Sequence, residues 1–205
     1  MKKIFITSIS MLPIDKLTPL YYSFEGSDNK TEYKTCYPSI PMIEKNMRSG
    51  DEAEIIAVMT DDDNDRTREN YKVFLKELEA LSLRLGTPLS VSQTVKVPHN
   101  EDKAKLVSLL RELCSVYEEA SEVYMDLTYG TKVTSIEMFS SLVFGAKVKN
   151  CNIRSIVYGK FNHAENSTDG RVYDIRALYD IVNLIYAADH LPGNKIEELL
   201  GQFWG

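Results

Sequence analysis

The sequence predicts an α/β protein built around a mainly parallel sheet. Short apolar runs rich in β-branched residues alternate with longer segments whose apolar residues recur at helical spacing. Because helices of ten or more residues separate the strands, we expect right-handed crossovers between parallel strands. Hydrophobic residues form 43% of the 205-residue chain, a content typical of a protein that buries its own core.

The first half of the chain is predicted to contain three strands and two helices. We expect strands at 3–9, 54–59 and 89–97, and helices at 38–47 and 64–85. The run 54–59 reads EIIAVM, a buried strand, and the apolar residues of 64–85 lie on one helix face. The Tyr-rich, polar stretch up to about residue 37 is predicted to form a loop or an irregular hairpin.

The second half continues this alternation. We expect helices at 101–120 and 131–147, strands at 122–127, 151–158 and 171–175, and terminal helices at 177–190 and 194–203. The spacing in 131–147 predicts an inward face of Val133, Ile136, Phe139, Leu142 and Val143. The chain therefore divides into a Rossmann-like domain, 1–175, and a C-terminal helical extension, 176–205.

Charge and composition disfavour several classes of protein. Lys and Arg number 24 against 30 Asp and Glu, so the net charge of −6 does not favour long nucleic acid held through its phosphates. No run approaches the ~18 apolar residues of a membrane span. The three scattered cysteines and three histidines indicate neither a disulfide framework nor a zinc site. We expect a cytoplasmic protein without a metal or an organic cofactor.

The segment 126–132, DLTYGTK, is the richest candidate for a binding site. It leaves a buried strand, turns at Gly130, which tolerates positive φ, and enters a helix that Thr131 is suited to cap. Free N–H groups at a helix start bind anions, and Lys132 in the first turn opposes the helix dipole, a placement that favours a bound phosphate. From periodicity alone, a plain strand–turn–helix connection with a surface lysine is equally consistent.

Two other strand ends carry small polar side chains. Ser8, Ser10 and Met11 follow the first strand, and Thr60 and Asp61 follow the second. Ligands bind at the carboxyl ends of the strands in such sheets, so these residues are candidates wherever they converge with the segment 126–132. Serine and threonine are also common in ordinary turns, and without that convergence the turn interpretation is favoured.

Familiar nucleotide and metal signatures do not occur in the chain. Neither GxGxxG nor GxxxxGK[ST] is present. The acidic run 61–65 lacks the glycine and the glutamate of an EF-hand and better fits the start of a helix. No arrangement of Ser, His and Asp or of Cys and His follows from the spacing.

The segment DLTYGTK resembles the DxTHG motif of CRISPR-associated Rossmann-fold (CARF) proteins and the TGGTK form found in related CARF effectors. Asp126, Thr128 and Gly130 agree with the first form, Thr131 and Lys132 agree with the second, and Tyr129 replaces the histidine or glycine. The opening strand with its Ser-containing loop, the strand ending at Thr60 and the tail from 172 to 188 are also similar to this family.

This resemblance implies a homodimer that binds cyclic oligoadenylate, the second messenger of type III CRISPR systems, across its two-fold axis. The ring size stays open. The implied ligand-binding residues are Ser8, Ser10, Met11, Thr60, Asp61, Asp126, Thr128, Tyr129, Gly130, Thr131 and Lys132. Tyr129, or a tyrosine of 20–37, would stack on adenine. Two copies of Lys132 facing one ring explain how an acidic chain would hold this anion.

Some CARF proteins are also metal-independent ring nucleases, in which a ribose 2′-hydroxyl attacks the adjacent phosphate and leaves a cyclic phosphate. In that case Lys132 would stabilise the developing charge, and Ser10 and Thr128 would position the ribose-phosphate. Because the same residues serve binding, sensor and ring nuclease both remain open. No convincing counterpart of the HEPN ribonuclease signature occurs, so we expect either a standalone protein or a sensor domain whose effector lies outside this chain. The lack of a basic helix-turn-helix disfavours a transcriptional regulator.

Overall fold

The computed structural model describes residues 2–48, 50–61, 65–98, 102–161 and 168–204. The strands are β1 (Lys2–Ser8), β2 (Tyr21–Phe24), β3 (Glu52–Thr60), β4 (Val91–Val97), β5 (Glu122–Asp126), β6 (Asn152–Phe161) and β7 (Asp169–Asp174). The helices are α1 (Ser39–Asn46), α2 (Arg66–Leu85), α3 (Lys103–Ser115), α4 (Lys132–Val148), α5 (Arg176–Ala187) and α6 (Gly193–Trp204).

The chain divides into two compact units, Met1–Asp174 and Ile175–Gly205. The first unit contains the whole sheet together with α1 to α4. The second unit consists of α5 and α6, two amphipathic helices joined by a short turn. In the part of the chain that the structure describes, none of the helices has the length and apolar character needed to cross a bilayer.

The sheet has the strand order β2-β7-β6-β5-β1-β3-β4. β1 pairs in parallel with β3 and β5, and the pairs β3–β4, β5–β6 and β2–β7 are also parallel. Only β6 and β7 pair antiparallel among the described strands. The predicted α/β fold with a mainly parallel sheet flanked by helices is therefore confirmed.

The strand order reverses at β1. After β1 the chain first forms β2 at the far edge beside β7. It then forms β3 and β4 on one side of β1 and crosses over to β5 and β6 on the other. In open α/β sheets, ligands bind outside the carboxyl ends of the strands at such a reversal. The ends of β1 and β5 therefore define the switch point of this sheet, and both ends carry predicted site residues.

The polar stretch before residue 37 differs from its prediction, because it adds a strand to the sheet. β2 pairs with β7 from Tyr21 opposite Asp169 to Phe24 opposite Val172. Tyr22 is buried in the core, which explains why this short strand is held in place. Its pairing partner lies far along the chain, so local alternation cannot reveal the strand.

Helix α4 buries a different face from the predicted one. Its buried residues are Thr134, Met138, Ser141, Leu142 and Gly145. Of the predicted inward residues, only Leu142 is buried, and Ile136 is 64% exposed. Small side chains let the helix approach its neighbours closely, and the hydroxyl groups of Tyr117 and Ser141 lie 2.7 Å apart. Apolar residues occur on both faces of α4, so periodicity alone selects the wrong one.

Candidate functional site

The loops after β1 and β5 meet at the switch point. Thr7 and Asp126 are register partners in the two strands. One residue further along β1, the buried Ser8 hydroxyl donates to the carbonyl oxygen of Tyr129 at 2.6 Å and accepts from the Tyr129 N–H at 3.2 Å. The two predicted site segments are therefore joined by direct hydrogen bonds.

Asp126 is the buried anchor of the β5 loop. Its carboxylate accepts hydrogen bonds from the N–H of Thr128 at 2.9 Å and from the Thr128 hydroxyl. Burial raises the pKa of Asp126 to about 6, and the polar groups of Thr128 and Ser39 oppose this rise. Ser39 is the first residue of α1, and Thr7 donates to its hydroxyl at 3.0 Å. The start of α1 thus places polar groups near the carboxylate at the end of β5.

Thr128 connects the β5 loop to β6. Its hydroxyl oxygen also accepts from the backbone N–H of Gly159 at 2.8 Å. A Cβ at Gly159 would lie 2.3 Å from Cγ of Pro38 and 3.1 Å from Oγ1 of Thr128, so this close approach requires glycine. Both hydrogen bonds of the Thr128 hydroxyl, with Asp126 and Gly159, therefore stabilise the loop after β5.

The turn into α4 presents the outward part of the site. Gly130 has φ +91°, a left-handed backbone that favours glycine, and it is exposed. Thr131 caps the helix by accepting from the N–H of Thr134 at 3.1 Å. Lys132 is the first helical residue, is exposed, and forms no salt bridge with any residue of the described ranges. A free cation beside the N–H groups of the first helical turn is suited to bind a phosphate.

The loop after β1 is held by a residue that sequence reasoning missed. Asn70 of α2 is buried, and its side-chain amide donates to the carbonyl oxygens of Ser10 and Leu12, both at 2.8 Å. The Ser10 hydroxyl accepts from the N–H of Leu12 at 3.1 Å, and its side chain has no exposed surface. Met11 between them is partly exposed. One feature of the sequence could have revealed this role of Asn70: it places an amide on the otherwise apolar face of the predicted helix 64–85.

The ring of Tyr129 lies in the core and not at the outward surface of the site. Only 8% of the residue is exposed, and its hydroxyl donates to the carbonyl oxygen of Cys36 at 2.8 Å. The ring packs edge-on against Tyr37 and stacks on Phe161, with centroid distances of 5.4 and 5.7 Å. In this arrangement Tyr129 contributes its backbone to the site, and the predicted stacking of its ring on adenine has no support.

The tyrosines of the segment 20–37 are also largely committed elsewhere. Tyr22 and Tyr37 are buried. Tyr33 is partly exposed, donates to Glu44 at 2.7 Å and lies under the guanidinium of Arg84. Tyr21 is partly exposed, lies under the ammonium of Lys34 and belongs to the edge strand β2, which β7 and β6 separate from β5. The predicted alternative of adenine stacking by this segment therefore finds no free tyrosine at the switch point.

Thr60 and Asp61 lie at the end of the next strand, β3. Thr60 is buried, and the N–H of Asp61 donates to the carbonyl oxygen of Val97 at 2.8 Å. Together with Arg68 and Lys96 they line a small cleft of about 110 Å³. The structure thus brings the β1 and β5 residues together and places this pair at a cleft of its own.

The switch-point residues form two layers. Met11, Thr128, Gly130, Thr131 and Lys132 are exposed or partly exposed. Beneath them, the buried layer consists of Ser8, Ser10, Asp126 and Tyr129. Across the described parts of the chain, no three His, Cys, Asp or Glu side chains are grouped closely enough to hold a metal ion. The N–H groups at the start of α4 and the exposed Lys132 make the outward layer suited to an anionic ligand.

Comparison of the chain with protein-family models and with curated proteins finds no match.

Proposed function

We propose that this chain is a CARF-type sensor of type III CRISPR signalling, which binds cyclic oligoadenylate as a cytoplasmic homodimer. One observation carries the proposal: the segment DLTYGTK lies at the switch point, hydrogen-bonded to Ser8 at the end of β1. The first turn of α4 and the exposed Lys132 then bind the phosphates of the ring.

The outward face of α4 supports the dimer. Ile136 lies one turn after Lys132 and is 64% exposed, and Val133, Phe139 and Val143 are partly exposed. An apolar helix face beside a binding site is typical of an interface. A two-fold axis along this face pairs it with its own copy and brings two Lys132 side chains to one symmetric ring.

Two placements favour binding over cleavage. Ser10 has no exposed surface, and the Thr128 hydroxyl is bonded to Asp126 and Gly159. Neither side chain is free to position an attacking 2′-hydroxyl in this arrangement. Lys132 is exposed, so the metal-independent ring nuclease stays the alternative function, with Lys132 as the stabiliser of the developing charge.

Calorimetric titration with cyclic tri-, tetra- and hexa-adenylate tests the proposal. The sensor is expected to bind one ring per two chains and to return it intact after incubation in EDTA, as judged by chromatography. Recovery of linear products with a 2′,3′-cyclic phosphate would favour the ring nuclease. Heats at the level of buffer dilution for all three rings would contradict both functions.

A further inference from the structure

Tyrosines and cations are paired across strands on one face of the β6–β7 hairpin. In the antiparallel register, Tyr158 lies opposite Tyr173, and Lys160 lies opposite Arg171. Side chains alternate along a strand, so these four project from the same face. We call these four residues the tyrosine–cation face. The intervening Gly159 and Val172 are buried and belong to the other side of the sheet.

The tyrosine–cation face is accessible. Tyr158 is 45% exposed, Lys160 and Arg171 are exposed, and Tyr173 is partly exposed. Lys160, Arg171 and Tyr173 line an open cleft of about 480 Å³. β2 and the following turn contribute Ser23 and Lys30, and Asp169 is the acidic residue of the lining. The cleft therefore combines an aromatic surface with several cations.

The cations of this cleft are poorly compensated. Lys160 and Arg171 are like charges directly opposite each other, an arrangement that destabilises a sheet. Among the acidic residues of the described ranges, Arg171 forms a salt bridge only with Asp28, at 3.7 Å, and Asp28 is fully exposed, so that pair contributes little. Lys30 is bonded to Asp169 at 2.8 Å, whereas Lys160 forms no salt bridge within the described ranges. In a chain of net charge −6, this local excess of positive charge is complementary to an anion.

We infer that the tyrosine–cation face binds a short stretch of single-stranded nucleic acid. Tyr158 and Tyr173 offer rings on which bases stack, and Lys160 and Arg171 lie two residues further along each strand, about 7 Å away, where they pair with phosphates. The face spans about two nucleotides, one for each tyrosine. Stacking and charge pairing read no base edge, so binding is expected to tolerate any sequence.

This site goes beyond the proposed function, because neither Lys132 nor any other switch-point residue lines the cleft. It also agrees with the exclusion of long nucleic acid. Two or three cations can pair with the few phosphates of a short single strand, whereas a long duplex is held through contacts with many phosphates.

Fluorescence anisotropy with a labelled oligouridylate of about ten nucleotides tests the inference. The wild-type chain is expected to bind at low salt, with log affinity falling against log salt at a slope of about −1.4 for two phosphates. Lys160→Ala/Arg171→Ala is expected to weaken binding at least tenfold and to flatten that slope. Its melting temperature should equal or exceed the wild-type value, since a like-charge pair is removed.

Two matched variants control for charge and for aromatic area. Lys72→Ala/Lys76→Ala removes the same charge from the exposed side of α2 and should bind like the wild type. Tyr158→Phe/Tyr173→Phe keeps the rings and should also bind like the wild type, whereas Tyr158→Ala/Tyr173→Ala should lose at least tenfold. Absence of wild-type binding, or equal weakening in the α2 control, overturns the inference.

Lys132→Ala separates this inference from the proposed function. This variant is expected to bind cyclic oligoadenylate at least tenfold more weakly and to bind the oligouridylate with the wild-type affinity. If Lys132→Ala abolishes oligouridylate binding while Lys160→Ala/Arg171→Ala does not, the strand is bound at the switch point and the inference is wrong.

Discussion

The hydroxyl of Ser8 makes two hydrogen bonds with the backbone of Tyr129, donating to the carbonyl oxygen at 2.6 Å and accepting from the N–H at 3.2 Å. Ser8 is the last residue of β1 and Tyr129 follows β5, so this contact joins the two sides of the switch point. The shape of the outward layer therefore depends on a residue that is itself buried.

Ser8→Ala is expected to destabilise the protein by about 1–3 kcal/mol, because it leaves two buried backbone groups of Tyr129 without their partner. The midpoint of urea unfolding measures this loss. Ser140→Ala, at an exposed position on α4, is the matched control and should change stability by less than about 0.5 kcal/mol. Equal midpoints for Ser8→Ala and the wild type would remove Ser8 from this structural role.

Gly159→Ala is expected to destabilise the protein by roughly 1–3 kcal/mol. The new methyl group would lie 2.3 Å from Cγ of Pro38, so β6 and the start of α1 must separate. The movement also disturbs Thr128, so the affinity for the proposed ligand, cyclic oligoadenylate, should fall together with the free energy of unfolding. Gly201→Ala is the control: nothing lies within 4 Å of its Cβ, and alanine in a helix should stabilise by about 0.5–1 kcal/mol. A Gly159→Ala variant with the wild-type melting temperature would contradict the close packing.

Asp126 is expected to make stability fall as pH rises from about 4 to about 6. Burial raises its pKa from 3.8 to about 6, so the folded state binds a proton in this window that the unfolded state has released. The free energy of unfolding then decreases by roughly 3 kcal/mol across the window and is level above it. In Asp126→Asn this contribution is absent. Urea unfolding at pH 4 and pH 7 should show a smaller difference for the variant, and identical differences would exclude a raised pKa.

Lys132→Ala is expected to weaken cyclic oligoadenylate binding at least tenfold, because in the proposed site the exposed cation at the start of α4 pairs with a phosphate. The fold should be unaffected, since the side chain forms no salt bridge in the described ranges. Lys147→Ala, an exposed lysine in the last turn of the same helix, is the control for net charge. Calorimetry that finds equal affinities for both variants would argue against the switch-point site.

Ile136→Glu is expected to convert the proposed dimer into a monomer. It places a charge in the centre of the exposed apolar face of α4, where two copies would pair. Light scattering during size-exclusion chromatography measures the mass. Leu83→Glu, at a 79% exposed position on α2, should remain dimeric. A dimeric Ile136→Glu variant would place the two-fold axis elsewhere.

Several parts of the structure follow from local sequence. The strand at 54–59 and the helix at 64–85 were predictable because a buried apolar run and a helical stripe have different periods. The turn at Gly130 and the cap at Thr131 follow from residue chemistry in the same way. These features depend only on neighbours along the chain.

Other parts depend on distant contacts and could not be predicted. β2 exists because Tyr22 is buried and because β7 supplies its pairing partner. Asn70 reaches the loop after β1 only once α2 has packed against the sheet. The sequence also left undecided which face of α4 is buried, because both faces carry apolar residues and packing against neighbouring elements selects one.

The sequence by itself determined the alternation of strands and helices, the polar segment 126–132 and the position of Lys132 at a helix start. Propensity, periodicity and capping act over a few residues, so they can be read locally. Only the tertiary structure decided that the β1 and β5 loops meet, that the hydroxyls of Ser8 and Ser10 are buried, and that the ring of Tyr129 faces the core. Strand order and burial result from the packing of segments that lie far apart in the sequence. This packing excludes water, so buried polar groups form hydrogen bonds within the protein.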